Sequence, residues 1–394
     1  MRGIPLRWLA IGVFVLSSTL NYLDRQLLAA LAPTIMSEFR LSNFQYGQIH
    51  SVFSLVYALM APLAGAFVDR VGLNVGMSVS VILWSLAGMA TGLTHRLSGL
   101  LGCRTALGIA ESAGIPGYGK ANAMYLESRE LALGTAFNQI GISLGMFAAP
   151  LMVAALAPRY GWRSNFVFAG GLGFVWVPLW LLTSRNVPAV SAAETKKPPS
   201  IRDLLHDRRL WGLMLATVFL MALYTLWSNW TTLYFVHEWR LTQDDANRQF
   251  AWIPPIFATL GGFFGGWLAY RSIRGGAGAP AARMRICWMS AVILLATAAI
   301  PFMPNPTWAT AAICLSFFWS LAGSTNLYAL PIDLFGPARA AFGVSALTFA
   351  YGLMQTFLSP AIGAMVDHLG FPAVCISMSL LPLAGVWILR VSIR

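Results

Sequence analysis

From Trp8 to Leu389 the chain is one continuous series of apolar stretches, each near the length that crosses a bilayer, with short polar breaks between them. A spanning helix needs about 20 mostly apolar residues. The stretches fall at 8–36, 44–68, 74–94, 97–123, 131–156, 162–183, 210–236, 246–270, 284–303, 306–331, 338–364 and 369–391. Only 10% of the 394 residues are charged, against roughly 25% in soluble domains. A soluble fold has no way to hide that much apolar surface. The expected fold is therefore an all-α polytopic membrane protein of about twelve transmembrane helices. The first stretch is too long for a signal-peptide core and carries Asn21, Asp24 and Arg25 with no small-residue cleavage site, so it reads as a retained helix.

The net charge of +12 does not point to nucleic acid, because the basic residues stand singly or in short groups between apolar runs. With both ends inside, the inward segments collect Arg2, Arg7, Arg70, Arg129, Arg185, Lys196, Lys197, Arg202, Arg208, Arg209, Arg271, Arg274, Arg283, Arg285, Arg339, Arg390 and Arg394. The outward ones hold Arg40, Arg96, Arg159, Arg163, Arg240 and Arg248. That bias places both termini in the cytoplasm. Cys103, Cys287, Cys314 and Cys375 lie in or beside apolar stretches without C-x-x-C spacing and read as small core residues. The scattered histidines, the missing Walker A pattern and the missing H-E-x-x-H helix leave no cofactor or metal to expect.

Asn186–Arg209 is the longest polar segment, with Pro188, Lys196, Lys197, Pro198 and Pro199, and it divides the spans six and six. It is expected to link an N-terminal bundle (1–185) to a C-terminal bundle (210–394) as a cytoplasmic linker (186–209). Two echoes suggest that the halves are parallel repeats. Gly65-x-x-x-Asp69-Arg70-x-Gly72 after the second span corresponds to Gly266-x-x-x-Tyr270-Arg271 after the eighth, and Gly141–Pro150 in the fifth corresponds to Gly352–Pro360 in the eleventh.

Ionisable groups inside spans cost at least about 2.5–3.5 kcal/mol each on insertion scales, so each needs a cavity, a partner or a task. Asp24 and Arg25 lie about 16 residues along the first helix, roughly 24 Å from its start at 1.5 Å per residue. Arg104 opens the fourth helix at similar depth. Glu111 lies two turns and about 10 Å deeper on the same face. This ladder of alternating charge suits uptake of an organic anion coupled to protons. Arg25 is the candidate anchor, since a guanidinium stays charged and binds a carboxylate bidentately. Asp24, Arg104 and Glu111 form the candidate proton-coupling group, a buried carboxylate exchanging its proton as an arginine approaches or leaves. The alternative is that Asp24–Arg104 and Arg25–Glu111 are structural ion pairs that fix helix packing.

Other polar and aromatic residues extend the candidate binding site. Tyr22, three residues before Arg25, and Tyr57, midway along the second span, offer hydroxyls to a polyol. Asn138 lies on a face with Gly141 and Gly145. In the second half the candidates are Trp227, Asn229 and Trp230, then Ser324, Asn326 and Gln355. Each of these also reads as helix-packing glue.

Asn21-Tyr22-Leu23-Asp24-Arg25, the Gly65–Gly72 loop and Arg104-x-x-x-Gly108-x-x-Glu111-x-x-x-x-Pro116 occur in that order. Together they resemble the major facilitator superfamily and, within it, the anion:cation symporter family. Arg104–Lys120, Tyr160-Gly161-Trp162-Arg163 and Phe250-Ala251-Trp252-Ile253-Pro254 look most like hexuronate transporters. The resemblance implies alternating access between two six-helix halves, with D-glucuronate or D-galacturonate carried inward with protons. It also implies substrate contacts at Arg25, Tyr22 and Tyr57, coupling at Asp24, Arg104 and Glu111, and a gating loop at Gly65, Asp69, Arg70 and Gly72. The expected setting is a bacterial-type inner membrane, with the chain working as a monomer whose partners are the anion, protons and the bilayer. Alternatives are a symporter of another carboxylate (aldonate, glucarate or lactate) and a sensor that binds an anion without moving it. An enzyme is not expected, because Asp24 and Glu111 lack a nucleophile or metal set.

Overall fold

The computed structural model describes residues 6–127, 130–185, 187 and 204–393, and every regular element among them is helical. The first span is Leu6–Ala30 continued by Ala32–Phe39, and the second is Asn43–Val71. The third is Leu73–Thr91, and the fourth is Leu97–Glu111 followed by Gly114–Tyr125. The fifth is Leu131–Tyr160 and the sixth Arg163–Ser184. The seventh joins Arg208–Leu220 to Ala222–Trp239. The eighth starts at Gln243–Ala246, passes a π-helical turn at Asn247–Ala251 and resumes as Pro254–Arg274. The ninth, Ala279–Leu294, tightens to a 3-10 turn at Leu295–Phe302, and the tenth is Pro306–Phe335. Pro337–Ile393 holds the last two, separated by Gly370 at φ 76° and ψ 174°. Twelve spans result among the described residues, within a few residues of the apolar stretches. Breaks inside spans have local causes: Pro33 and the Pro254–Pro255 pair sit in the first turns of the helices they open, where a missing N–H is tolerated.

The chain forms two compact units. The first comprises Met1–Leu41, Val52–Thr195 and Gln243–Arg248, and the second Ser42–Ser51, Lys196–Thr242 and Gln249–Arg394. Most of the expected linker, including Lys196, Lys197 and Arg202, lies outside the described residues, as do Arg2, Arg129 and Arg394.

Each unit is tightened by glycines that bring helix backbones together without a hydrophobic drive between them. In the first unit, Gly141 and Gly145 press the fifth span onto the first. A Cβ at Gly145 would meet the Thr19 carbonyl and lie 2.8 Å from the Leu23 nitrogen. In the second unit, Gly261 and Gly265 do the same for the eighth span on the tenth, where a Cβ would come within 2.7 Å of the Cα atoms of Phe318 and Ala322 respectively. Side chains such as Leu63, Leu182, Phe357 and Trp387 are exposed. In a bilayer-spanning chain, such apolar side chains meet lipid.

A stronger repeat than the glycine echoes marks the end of the first span of each half. Glu38-Phe39-Arg40-Leu41-Ser42 corresponds to Glu238-Trp239-Arg240-Leu241-Thr242. Arg40 and Arg240 both adopt left-handed backbone, with φ 52° and 53°. At Arg40 this closes a Schellman cap, the Leu41 N–H reaching the Met36 carbonyl at 2.9 Å.

Candidate functional site

The site in the first unit is built where the first, second and fourth spans meet. Tyr22 and Arg25 are three residues apart on the first span, and Phe53 and Tyr57 are four apart on the second, so each pair shares a helix face. Gly108 lets the fourth span approach at that level: a Cβ there would lie 3.0 Å from the Phe53 carbonyl and 3.3 Å from the Tyr57 nitrogen. Gly145 docks the fifth span behind Tyr22, with its Cβ position 3.0 Å from that of Tyr22.

Within this frame Arg25 Nε donates to Glu111 Oε2 at 2.7 Å. Glu111 is fully buried, while the Arg25 side chain keeps 20% of its surface accessible. Three rings surround the guanidinium carbon, at 4.9 Å for Tyr22, 4.8 Å for Phe53 and 4.5 Å for Tyr57. Each is within cation–π reach. Phe53 and Tyr57 stack on each other at 5.8 Å. Arg25 Nη2 and Glu111 Oε1 are buried without a hydrogen-bond partner among the described residues. The cage thus grips the cation while leaving a donor and an acceptor unspent.

Asp24 and Arg104 are each only 3% exposed. Arg104 and Glu111 are the charged neighbours of Asp24, and its carboxylate oxygens lie 3.7–3.8 Å from where a Cβ on Gly88 of the third span would stand. All four charged candidates therefore belong to one cluster. Phe53 was not among the sequence candidates. Its signal is the spacing of four to Tyr57, which sets both rings on one face.

Asn138 serves packing, accepting a 2.5 Å hydrogen bond from Ser18 Oγ and so joining the fifth span to the first. In the loop after the second span, Gly72 has φ 88° and ψ 156°, a backbone that side chains rarely adopt, and it alone separates Val71 from Leu73. Lys120 Nζ donates to Asp69 Oδ1 at 2.9 Å and to the Val68 carbonyl at 3.0 Å, fastening the fourth span to the end of the second. Gly65 faces Pro116, whose Cβ would be 3.5 Å from an added Cβ. Arg70 stands in the last turn of the second span.

Among the described residues the second unit buries no Asp, Glu, Lys or Arg, and its candidates are neutral. Asn326 Nδ2 bridges the Gly265 and Ala322 carbonyls at 3.0 and 2.9 Å, so this amide holds the eighth and tenth spans together. The Asn229 carbonyl accepts from the Tyr46 hydroxyl at 2.7 Å. Trp227 packs edge-on to Tyr234 at 5.5 Å, and Trp230 to Tyr46 at 5.0 Å. Ser324 is buried and Gln355 half-buried. Tyr224 and Tyr351, unmarked by the sequence, approach at 6.5 Å, and Thr225 Oγ1 lies 3.5 Å from the Tyr351 hydroxyl. Aromatic residues in apolar stretches carry no sign of this in sequence.

The model of the Major Facilitator Superfamily matches residues 14–359. The chain belongs to this superfamily. It is a multi-pass membrane transporter of that superfamily, not an enzyme. Over 405 residues it is 28% identical to the hexuronate transporter of Escherichia coli K12, covering 98% of this chain and 94% of that protein. It is 30% identical over 281 residues to the galacturonate transporter of Dickeya chrysanthemi, covering 67% of this chain and 81% of that one. Among solved structures, a bacterial homolog of the human lysosomal transporter Spinster, inward-facing and unoccupied, superposes with a TM-score of 0.79 at 20% identity. That match covers 99% of this chain and 96% of the other, and supports the superfamily fold.

Proposed function

We propose that this superfamily member imports a hexuronate together with protons by alternating access. The observation that carries the reading is the Arg25–Glu111 pair, held at 2.7 Å inside three aromatic rings with a guanidinium nitrogen unspent. A substrate carboxylate and the Glu111 carboxylate compete for one cation. Protonation of Glu111 frees Arg25 to bind the anion bidentately, and loss of that proton returns Glu111 to Arg25 and expels the anion. Proton and anion then favour each other's binding by the same factor, as linkage requires. Because a ligand shifts an equilibrium only by its differential affinity, the loaded and empty states must differ at this pair. Asp24 and Arg104, in the same cluster, complete the coupling group. Tyr22 and Tyr57 offer hydroxyls to a polyol, and the similarity to a hexuronate and a galacturonate transporter supports a hexuronate as the anion.

In this reading both termini are cytoplasmic, and the Gly65–Gly72 loop with Asp69 and Arg70 gates the cytoplasmic side. The two bundles, 1–185 and 210–394, rock about the site in a bacterial-type inner membrane, with the chain acting as a monomer. Trp227, Asn229, Ser324 and Gln355 are the further candidate substrate contacts of the second half, while Asn138 and Asn326 hold spans together. The test is uptake of labelled D-glucuronate and D-galacturonate into proteoliposomes with and without an inward proton gradient. Accumulation that needs the gradient and is lost in Glu111→Gln supports the reading. Equilibration indifferent to the gradient, or gradient-driven accumulation with normal pH dependence in Glu111→Gln, overturns it.

A further inference from the structure

Asn21 is a buried amide beside the charged cluster, only 5% exposed. It precedes Asp24 by three residues and Arg25 by four, so it stands one turn earlier on the same face of the first span. Its side chain is turned to the fourth span, where a Cβ on Gly114 would lie 3.8 Å from Asn21 Nδ2. Glu111, three residues before Gly114, has Asn21 as a polar neighbour. Yet Asn21 Nδ2 closes no hydrogen bond of ordinary geometry among the described residues. Glu111 Oε1 is in the same position, while its other oxygen is held by Arg25 at 2.7 Å.

Burying an amide without a closed hydrogen bond is costly, and here a donor and an acceptor are neighbours that leave each other unmet. The charge state of Glu111 explains the arrangement. A carboxylate only accepts, and Arg25 supplies the donor. A carboxylic acid both donates and accepts, as a side-chain amide does. The two can therefore close a two-point pair, the Glu111 hydroxyl donating to Asn21 Oδ1 and Asn21 Nδ2 donating to the Glu111 carbonyl oxygen. Arg25 has donors only and cannot receive the proton of the acid. Glycine at 114 leaves the amide room to turn.

We infer that Asn21 is a positioning residue, the partner that holds protonated Glu111 while Arg25 is turned to the anion. This rests on the shared-arginine reading above and names what receives Glu111 when its pair with Arg25 opens. Because the amide is unbonded while Arg25 holds Glu111, it contributes to one state and not the other, as a contact must to shift an equilibrium. The ionisable groups around Glu111 are Tyr22, Asp24 and Arg25 on the first span, Tyr57 on the second and Arg104 on the fourth. The third span, Leu73–Thr91, carries no titratable side chain, and the fifth carries Arg159 and Tyr160 at its far end. Asn21 is neutral, so it favours the acid without adding a charge that competes for the anion.

The test is the pH profile of D-galacturonate affinity for the purified wild type, Asn21→Leu and Asn21→Thr, beside the infrared difference spectrum between low and high pH. Leucine fills the place of the amide with no polar atom, and threonine keeps one hydroxyl. Losing the partner of the acid lowers the pH at which Glu111 takes up its proton. The midpoint of the Asn21→Leu profile is therefore expected about one pH unit below that of the wild type, the worth of two neutral hydrogen bonds of net strength. Asn21→Thr is expected between the two, and reports the same direction should the leucine variant not fold. The carboxylic C=O band that Glu111→Gln lacks is expected at higher wavenumber in Asn21→Leu, as for an acid stripped of its hydrogen bonds. A midpoint unchanged or raised, or a band that does not move, overturns the inference and leaves the shared-arginine reading standing. Wild-type affinity indifferent to pH overturns that reading and this inference with it.

Discussion

The first six spans bury Asp24, Arg104 and Glu111 within the membrane region, whereas the last six bury no Asp, Glu, Lys or Arg among the described residues. The two halves share a repeat, down to the left-handed arginines at 40 and 240 and the turn glycines at 161 and 370. What differs is the chemistry hung on it. In the first half a cation is caged and shared, while in the second, amides and hydroxyls bridge backbone carbonyls. In the proposed reading the coupling chemistry belongs to one half, and the other is left to packing and to neutral contacts. A glycine-lined helix face in either half brings backbones close; in the first half that closeness lies beside the buried Arg25–Glu111 pair, while in the second Arg283 of the ninth span meets Asp333 of the tenth.

Changes at the cage should separate the halves most sharply. Arg25→Ala is expected to abolish uptake and to destabilise the first unit, since removing one partner of a buried pair costs about 3–5 kcal/mol. Arg25→Lys should fail in transport too, because a point charge replaces a planar fork. Uptake retained in either variant would remove Arg25 from the site. Phe53→Ala opens one side of the cage. A loss of uptake about tenfold, in keeping with a desolvated cation–π contact of up to about 2 kcal/mol, is expected with the protein still folded.

In the second half the effects should fall on stability rather than coupling. Asn326→Leu deletes the hydrogen bond to Gly265 that joins the eighth and tenth spans and a second one to Ala322 within the tenth. A net loss of about 1–2 kcal/mol is expected, read as a lower melting temperature in detergent, with the pH profile of uptake unchanged. A shifted pH profile in this variant would break the division between the halves.

The smallest effect is expected past the apolar stretch 8–36, where the helix of the first span runs on beyond the length that crosses a bilayer. Glu38 accepts from Arg163 at 2.6 Å and from the Trp162 indole at 2.5 Å, and these donors hold its carboxyl below the usual range near 4.5. Its folded value is depressed, so the stabilisation is present above the unfolded value and fades as pH falls through the folded one. The side chain is 41% exposed, so solvent screening keeps the effect small. The melting-temperature gap between wild type and Glu38→Gln should be measurable at pH 7 and shrink progressively as pH falls below about 4.5. In the second half the matching Glu238 pairs instead with His237, at 2.9 Å.

The span count was legible in sequence because a bilayer forces every spanning segment to be long and apolar, and the model places helices within a few residues of each stretch. The breaks at Ser112 and Met221 were not, since they change backbone geometry without changing composition, whereas Pro33 marks the one at Leu31. The charged cluster announced itself through the cost of burying Asp24, Arg104 and Glu111. The third ring did not, because a phenylalanine in an apolar stretch looks like any lipid-facing side chain until its neighbours are known. Asn138 and Asn326 show the converse. Both stand out as polar residues in membrane helices, and in the structure each makes hydrogen bonds that join two spans.

The central claim, that one arginine is shared between Glu111 and the substrate anion, is tested most directly by calorimetric binding of D-galacturonate to the purified protein from pH 5.5 to 8. The account predicts affinity that weakens as pH rises in the wild type, with one proton taken up per anion bound, and affinity that is tight and independent of pH in Glu111→Gln. Binding indifferent to pH in the wild type, or the same pH dependence in Glu111→Gln, would contradict it.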